Sequence, residues 1–137
     1  MSPGTPEHQV VARYTAATSS GHGDILNIFR LDRRTEGPRY SAHSGLGNRK
    51  LLWHGTNVAV VAAICKGGLR IMPHSSGRVG AGIYLASEQS KSAAYVQPDY
   101  SSGTGVMFLC EAALGRQSRT QGSSFPSDVV QPLVITR

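Results

Sequence analysis

Residues 51–71 read LLWHGTNVAVVAAICKGGLRI. A short apolar run through Trp53 meets His54, Gly55 and Thr56, and a second apolar run begins after Asn57. Asn is a helix-capping residue, because its side-chain oxygen accepts a hydrogen bond from a first-turn amide. Gly67 and Gly68 supply the stop signal. The valines at 58, 60 and 61 are weak helix formers, so a strand competes for the same stretch. Its length and the terminal glycine pair favour a helix. KLLWHGT therefore predicts a strand and VAVVAAICKG a helix, with a histidine and a glycine at the junction. Such a junction is either a plain turn or a binding site, and the surrounding sequence has to choose.

Upstream, HQVVARYTAATSS places Val10, Val11, Tyr14 and Ala17 at helical spacing. ILNIFRLDR alternates with both faces partly apolar and predicts a strand, and RRTEGPRYSAHSGLGNR predicts a loop. Downstream, LRIMP reads as a short extended piece, HSSGRVGAG as a loop and IYLAS as a buried strand. A helix is expected after Ser87 and Glu88 through QSKSAAYV, then a loop in QPDYSSGTG and a strand in VMFLCEAALG. VVQPLVITR is a weak strand that Pro132 would confine to an edge. Strands alternating with short helices and glycine-rich loops imply an α+β or mixed α/β domain.

The totals bound the class. A chain of 137 residues is one domain's length. The net charge of +6 favours anionic partners such as nucleic acid or phosphate-bearing cofactors. The basic residues are scattered, without the dense aromatic-interleaved block of a dedicated nucleic-acid module. Cys65 and Cys110 each sit in an apolar run with no metal-ligand spacing, which predicts buried free thiols and a reducing compartment. No apolar run reaches the roughly 18 residues of a membrane span. The N-terminus lacks a signal-peptide pattern, so an intracellular, soluble protein without membrane partners is expected.

His54 can both donate and accept hydrogen bonds at neutral pH. Gly55 lets a flat group approach the main chain, because nothing projects from its Cα. Tyr84 and Tyr95 offer flat aromatic faces, and Ser92 offers a hydroxyl one helical turn before Tyr95. Arg70 and the basic loop around Arg78 suit phosphates. The set fits a planar amide ring between two tyrosines, with a ribose and diphosphate leading away. Each residue is equally at home in a structural role, the tyrosines as core aromatics and the histidine at a turn. GRVGAG precedes a strand with the wrong spacing, so it is not a dinucleotide fingerprint.

Taken in order, LLWHGT, GLRIMP, GAGIYLASEQSKSAAYV and FLCEAALG resemble the catalytic domain of the poly(ADP-ribose) polymerases, the diphtheria-toxin-like ADP-ribosyltransferases. The likeness runs from about Ile25 to Gly115. It implies an α+β fold of two split β-sheets with short helices, holding NAD+ as co-substrate. It also implies transfer of ADP-ribose to an acceptor protein or nucleic-acid end, and a nuclear location. Any association with DNA would run through other domains of the parent protein. By resemblance, His54 would hold the adenine-proximal ribose hydroxyl. Gly55 and Ser92 would bond the nicotinamide carboxamide. Tyr95 would stack on its ring, with Tyr84 on the other side, and His54 and Tyr84 belong to the family's catalytic triad. Arg70 would lie toward the diphosphate, Pro73 to Gly80 would line the cleft, and Lys91 would face the acceptor side.

Two positions depart from the family pattern. Ala81 stands where relatives commonly carry lysine. The triad's glutamate, in a late motif like S-E-Y-L-V-Y, has no counterpart: Glu88 follows the Tyr84 strand too closely, Glu111 matches a structural position, and neither Asp99 nor Asp128 falls in such a motif. The reading is therefore an N-terminal helix and flank over 1–24, a partial catalytic core over 25–115 without the late strands, and a divergent tail over 116–137. A gene fragment and a binding-only pseudoenzyme are the two explanations of that pattern.

Overall fold

In the computed structural model, residues 1–21, 23–72, 76–77 and 80–117 are described. The chain is α+β. Among the described residues four helices run α1 (Pro6–Thr18), α2 (Glu36–Ser41), α3 (Val58–Gly67) and α4 (Gln89–Ala93). The strands among them run β1 (Arg49–Gly55), β2 (Ser76–Gly77), β3 (Gly80–Ala81) and β4 (Met107–Ala113).

β1 and β4 form an antiparallel ladder that pairs Leu52 with Cys110, Trp53 with Leu109, His54 with Phe108 and Gly55 with Met107. α3 forms where expected. The Asn57 side chain accepts from the Ala59 N–H at 3.1 Å, and Gly68 closes the helix at φ 74° with its N–H on the Ile64 carbonyl. That left-handed angle is accessible to glycine at little cost. Ile64, Leu69 and Cys110 form the core cluster, and Ile83, Leu85 and Phe108 pack against it. Burial pushes the Cys110 thiol up to about 12 from 9.0, so it stays protonated at neutral pH. Cys65 is half-buried rather than buried, and both thiols are free.

α1 begins at Thr5, whose side chain caps the His8 N–H, with Pro6 in the first turn. It docks on β1. The Tyr14 hydroxyl donates to the Leu51 carbonyl at 2.7 Å, and its ring stacks on Trp53 with centroids 5.9 Å apart.

Three expectations fail, each because tertiary contacts outweigh local pattern. Residues 25–33 form no strand, since among the described residues no neighbour pairs with them, and Leu26 and Phe29 are exposed. A two-sided apolar pattern specifies a strand only when both faces meet partners. The expected loop over 33–49 contains α2. Its glycine and proline lie in the first turn, where proline is tolerated, and its anchors are tertiary. Buried Glu36 pairs with Arg33, and the buried Tyr40 hydroxyl donates to Glu111 at 3.0 Å. IYLAS is not a buried strand either. Only Ala86 pairs, in an isolated bridge to Trp53, and Tyr84 is exposed.

Two smaller differences follow. HSSGRVGAG contains the short antiparallel β2–β3 pair, and QPDYSSGTG contains a 3₁₀ turn over Pro98–Ser101. The expected edge strand in VVQPLVITR lies outside the described residues. Among the described residues no helix is long and apolar enough to cross a membrane.

Candidate functional site

The C-terminal end of β1 gathers most of the residues singled out from the sequence. His54 is the last side chain before Gly55. Its Nδ1 lies 2.9 Å from the Tyr84 carbonyl oxygen. A carbonyl only accepts, so Nδ1 carries the proton, and in neutral imidazole Nε2 then keeps its lone pair. The bond ties β1 to the Ile83–Ser87 segment at the residue whose ring was expected in the site. The Tyr84 hydroxyl donates to the Gly80 carbonyl at 2.6 Å, which fixes the ring against β3.

Gly55 is seated more tightly than the sequence suggests. A Cβ built on it would lie 1.8 Å from the Ser92 carbonyl oxygen. The missing side chain therefore admits the backbone of α4, not open space. What stays available is the main-chain edge. In an antiparallel ladder, alternate residues turn their N–H and C=O toward the partner strand and away from it. Trp53 faces away from β4, because its N–H and C=O bond Ala86 at 2.7 and 2.9 Å. Gly55, two residues on, presents its peptide groups to the same edge.

Ser92 is buried at 4% exposure, and its hydroxyl donates to the Trp53 carbonyl at 3.0 Å. Its proton is committed while its lone pairs remain. α4 is short, starting at Glu88 without a side-chain cap, and it is held by this bond and by the Gly55 contact. One turn later Tyr95 is 65% exposed, its N–H on the Ser92 carbonyl at 3.1 Å. Lys91 is exposed on the same helix.

Arg70 follows α3, and its Nε donates to the Gly67 carbonyl at 3.4 Å, a cation at a helix C-terminus. The segment 73–75 and residues 78–79, expected to line the cleft, lie outside the described residues, as does Asp128. Ala81 sits half-buried in β3, where its methyl group supplies no charge. Glu111 is taken by the Tyr40 hydroxyl and by Arg49, whose guanidinium also lies 5.1 Å from the Tyr40 ring centroid. Glu36 is taken by Arg33. Among the described residues no cluster of three or more His, Cys, Asp or Glu is placed to hold a metal ion.

Sequence reasoning missed the support behind the site. Trp53 is 5% exposed, and its Nε1 donates to Thr18 Oγ1 at 3.0 Å. The helical register of Tyr14 was visible in the sequence, but nothing in the sequence tied α1 to Trp53.

Residues 5–127 match the poly(ADP-ribose) polymerase catalytic domain. The chain belongs to that family. It is 54% identical over 121 residues to protein mono-ADP-ribosyltransferase PARP3 of Homo sapiens, covering 85% of this chain and 23% of the relative. The Mus musculus protein of the same name is 52% identical over the same shares. Poly [ADP-ribose] polymerase 2 of Arabidopsis thaliana is 36% identical over 135 residues, 92% of this chain and 21% of the relative. The chain thus spans about a fifth to a quarter of the length of these curated relatives. Catalytic domains of this family use NAD+ as co-substrate.

Proposed function

We propose that this chain forms the donor-binding part of an NAD+-dependent ADP-ribosyltransferase site, passing ADP-ribose to a protein side chain or nucleic-acid end with release of nicotinamide. The observation that carries the reading is the half-satisfied polar set at the end of β1. His54 spends Nδ1 on Tyr84 and keeps Nε2, which suits the adenine-proximal ribose hydroxyl. Gly55 presents an N–H and a C=O side by side, the complement of a carboxamide. Ser92 keeps acceptor capacity for that amide, and Tyr95 leaves a largely bare ring for stacking. Tyr84 is assigned the ring's other face, and Arg70, at the end of α3, is assigned the diphosphate side. The bound dinucleotide supplies an electrophilic ribose C1′ whose bond to nicotinamide breaks as the acceptor nucleophile bonds to it.

On this reading the β1–β4 ladder and the β2–β3 pair are parts of the family's split pair of sheets. The nucleus is the proposed location, with DNA contact made by other domains of a longer protein.

A second reading, NAD+ or ADP-ribose binding without turnover, is favoured by the carboxylates. Transfer in this chemistry needs a carboxylate to stabilise the positive ribose. Glu111 and Glu36 are committed to structural partners.

Labelling of a mixed protein substrate with tagged NAD+ tests both readings. Transfer above a His54→Ala control supports the enzyme. Calorimetric NAD+ binding with no transfer supports the binding module. Loss of neither binding nor transfer in His54→Ala overturns the assignment of His54. That variant is expected to weaken binding about tenfold, the loss of one or two hydrogen bonds to a polar ligand.

A further inference from the structure

The edge of β1 that faces away from β4 carries the peptide groups of Leu51, Trp53 and Gly55 in turn. The first is held by α1, through the Tyr14 hydroxyl on the Leu51 carbonyl at 2.7 Å. The second places two parts of the site. Trp53 bonds Ala86, two residues after Tyr84, at 2.7 and 2.9 Å, and its carbonyl also takes the Ser92 hydroxyl at 3.0 Å. The Ala86 contact is an isolated bridge, so no neighbouring pairs of a ladder set its register. The segment is tied to β1 by this bridge and by the His54 Nδ1 bond to the Tyr84 carbonyl.

The Trp53 indole is held from α1. The indole Nε1 donates to Thr18 Oγ1 at 3.0 Å, and the ring stacks on Tyr14 at an interplanar angle of 20°. Thr18 spends its own proton on the Tyr14 carbonyl at 2.8 Å, so an oxygen lone pair is turned to the indole. One hydroxyl thus ties the last turn of α1 to the residue that locates Ala86 and Ser92.

We propose that Thr18 and Tyr14 are positioning residues of the donor site, acting through Trp53 on Ser92 and on the Tyr84–Ala86 segment. Neither side chain is assigned a contact with the ligand. Only the ligand-binding part of the test rests on the ADP-ribosyltransferase reading, because the coupling itself lies within the protein.

The test uses the whole 137-residue chain with Thr18→Val, Thr18→Ser and Tyr14→Phe. Trp53 is the chain's one tryptophan, so its emission reports the indole environment directly. Thr18→Val is expected to change that emission and to speed amide hydrogen exchange at Trp53 and Ala86 about tenfold, with β4 amides unmoved. It should also weaken nicotinamide binding, followed by calorimetry, by about the same factor. Thr18→Ser, which keeps the hydroxyl, should restore all three. If Thr18→Val does not fold, Tyr14→Phe carries the same comparison with an expected effect of about threefold.

Exchange at Trp53 and Ala86 that stays at the wild-type rate while the emission changes overturns the proposal. So does an equal rise at the β4 amides, which marks general destabilisation. If wild type fails to bind nicotinamide, the ADP-ribosyltransferase reading falls, and the exchange comparison still decides the coupling.

Discussion

The two ends of β1 carry polar residues of similar kind and treat them oppositely. At the N-terminal end, Arg49, Glu111 and Tyr40 satisfy one another: the carboxylate takes the phenol and the guanidinium, and the guanidinium also lies over the phenol ring. At the C-terminal end, His54 and Ser92 each make one side-chain bond and keep acceptor capacity, and Gly55 turns its peptide groups to the edge away from β4. A closed polar cluster cross-links α2 to the sheet. A set with one bond made and one left is the arrangement a polar ligand completes. A carboxylate therefore does not mark a reaction centre by its charge alone. Glu111 is acidic and half-buried, and it belongs to the closed end.

The sharpest way to break this contrast is Gly55→Ala. Its Cβ would meet a backbone oxygen at 1.8 Å, and backbone cannot swing aside as a flexible side chain does. Either α4 is displaced or the strand bends, at a cost of about 3 kcal/mol, the upper range for overpacking. Thermal unfolding should show that loss, and labelling or NAD+ binding should fall about a hundredfold or more, because Ser92 leaves with α4. Near-wild-type binding in Gly55→Ala would mean that α4 is not part of the site.

The middle of the ladder sharpens the comparison through pH. Cys110 pairs with Leu52 and lies in the core, with its thiol raised from 9.0 to about 12 by burial. The folded state holds this proton more tightly than the unfolded chain. The stabilisation is therefore complete below about pH 9, declines as the unfolded thiol ionises, and is exhausted above pH 12. Between those limits wild type should lose about 1.4 kcal/mol per pH unit relative to Cys110→Ala, measured by denaturant unfolding. Parallel pH profiles for the two proteins would remove the thiol from the account.

Tyr40→Phe is the smallest change and the cleanest control of the closed end. It removes the hydroxyl that donates to Glu111 and leaves the ring beneath Arg49. Burial, then the Glu111 hydrogen bond, raises the Tyr40 ionisation, so the group is a neutral donor at neutral pH. Stability should fall by about 1 kcal/mol, one hydrogen bond, with NAD+ binding unchanged. A matching loss of binding would show that the two ends are not independent.

Much of this was legible without coordinates. α3 announced itself through Asn57 and the Gly67–Gly68 pair, because capping and left-handed closure are local chemistry. The β1 and β4 runs showed as short apolar segments, and the likeness of LLWHGT and GAGIYLAS to a known family pointed to His54, Gly55, Tyr84, Ser92 and Tyr95. The failures share a cause. ILNIFRLDR has the alternation of a strand but no partner among the described residues. EGPRYS has the composition of a loop but is anchored by Glu36 and Tyr40.

The sequence by itself determined which residues bring hydrogen-bonding and stacking chemistry to the site, and to which family the chain is similar. Those are properties of residue type and order. The tertiary structure alone decided which polar groups are used up and which keep a free valence. It directed Arg70 to the end of α3, bound Glu111 to Tyr40 and Arg49, filled the space at Gly55 with the Ser92 carbonyl, and placed Thr18 and Tyr14 behind Trp53. Hydrogen-bond saturation depends on distance and direction between segments far apart in the chain, and no local pattern encodes it.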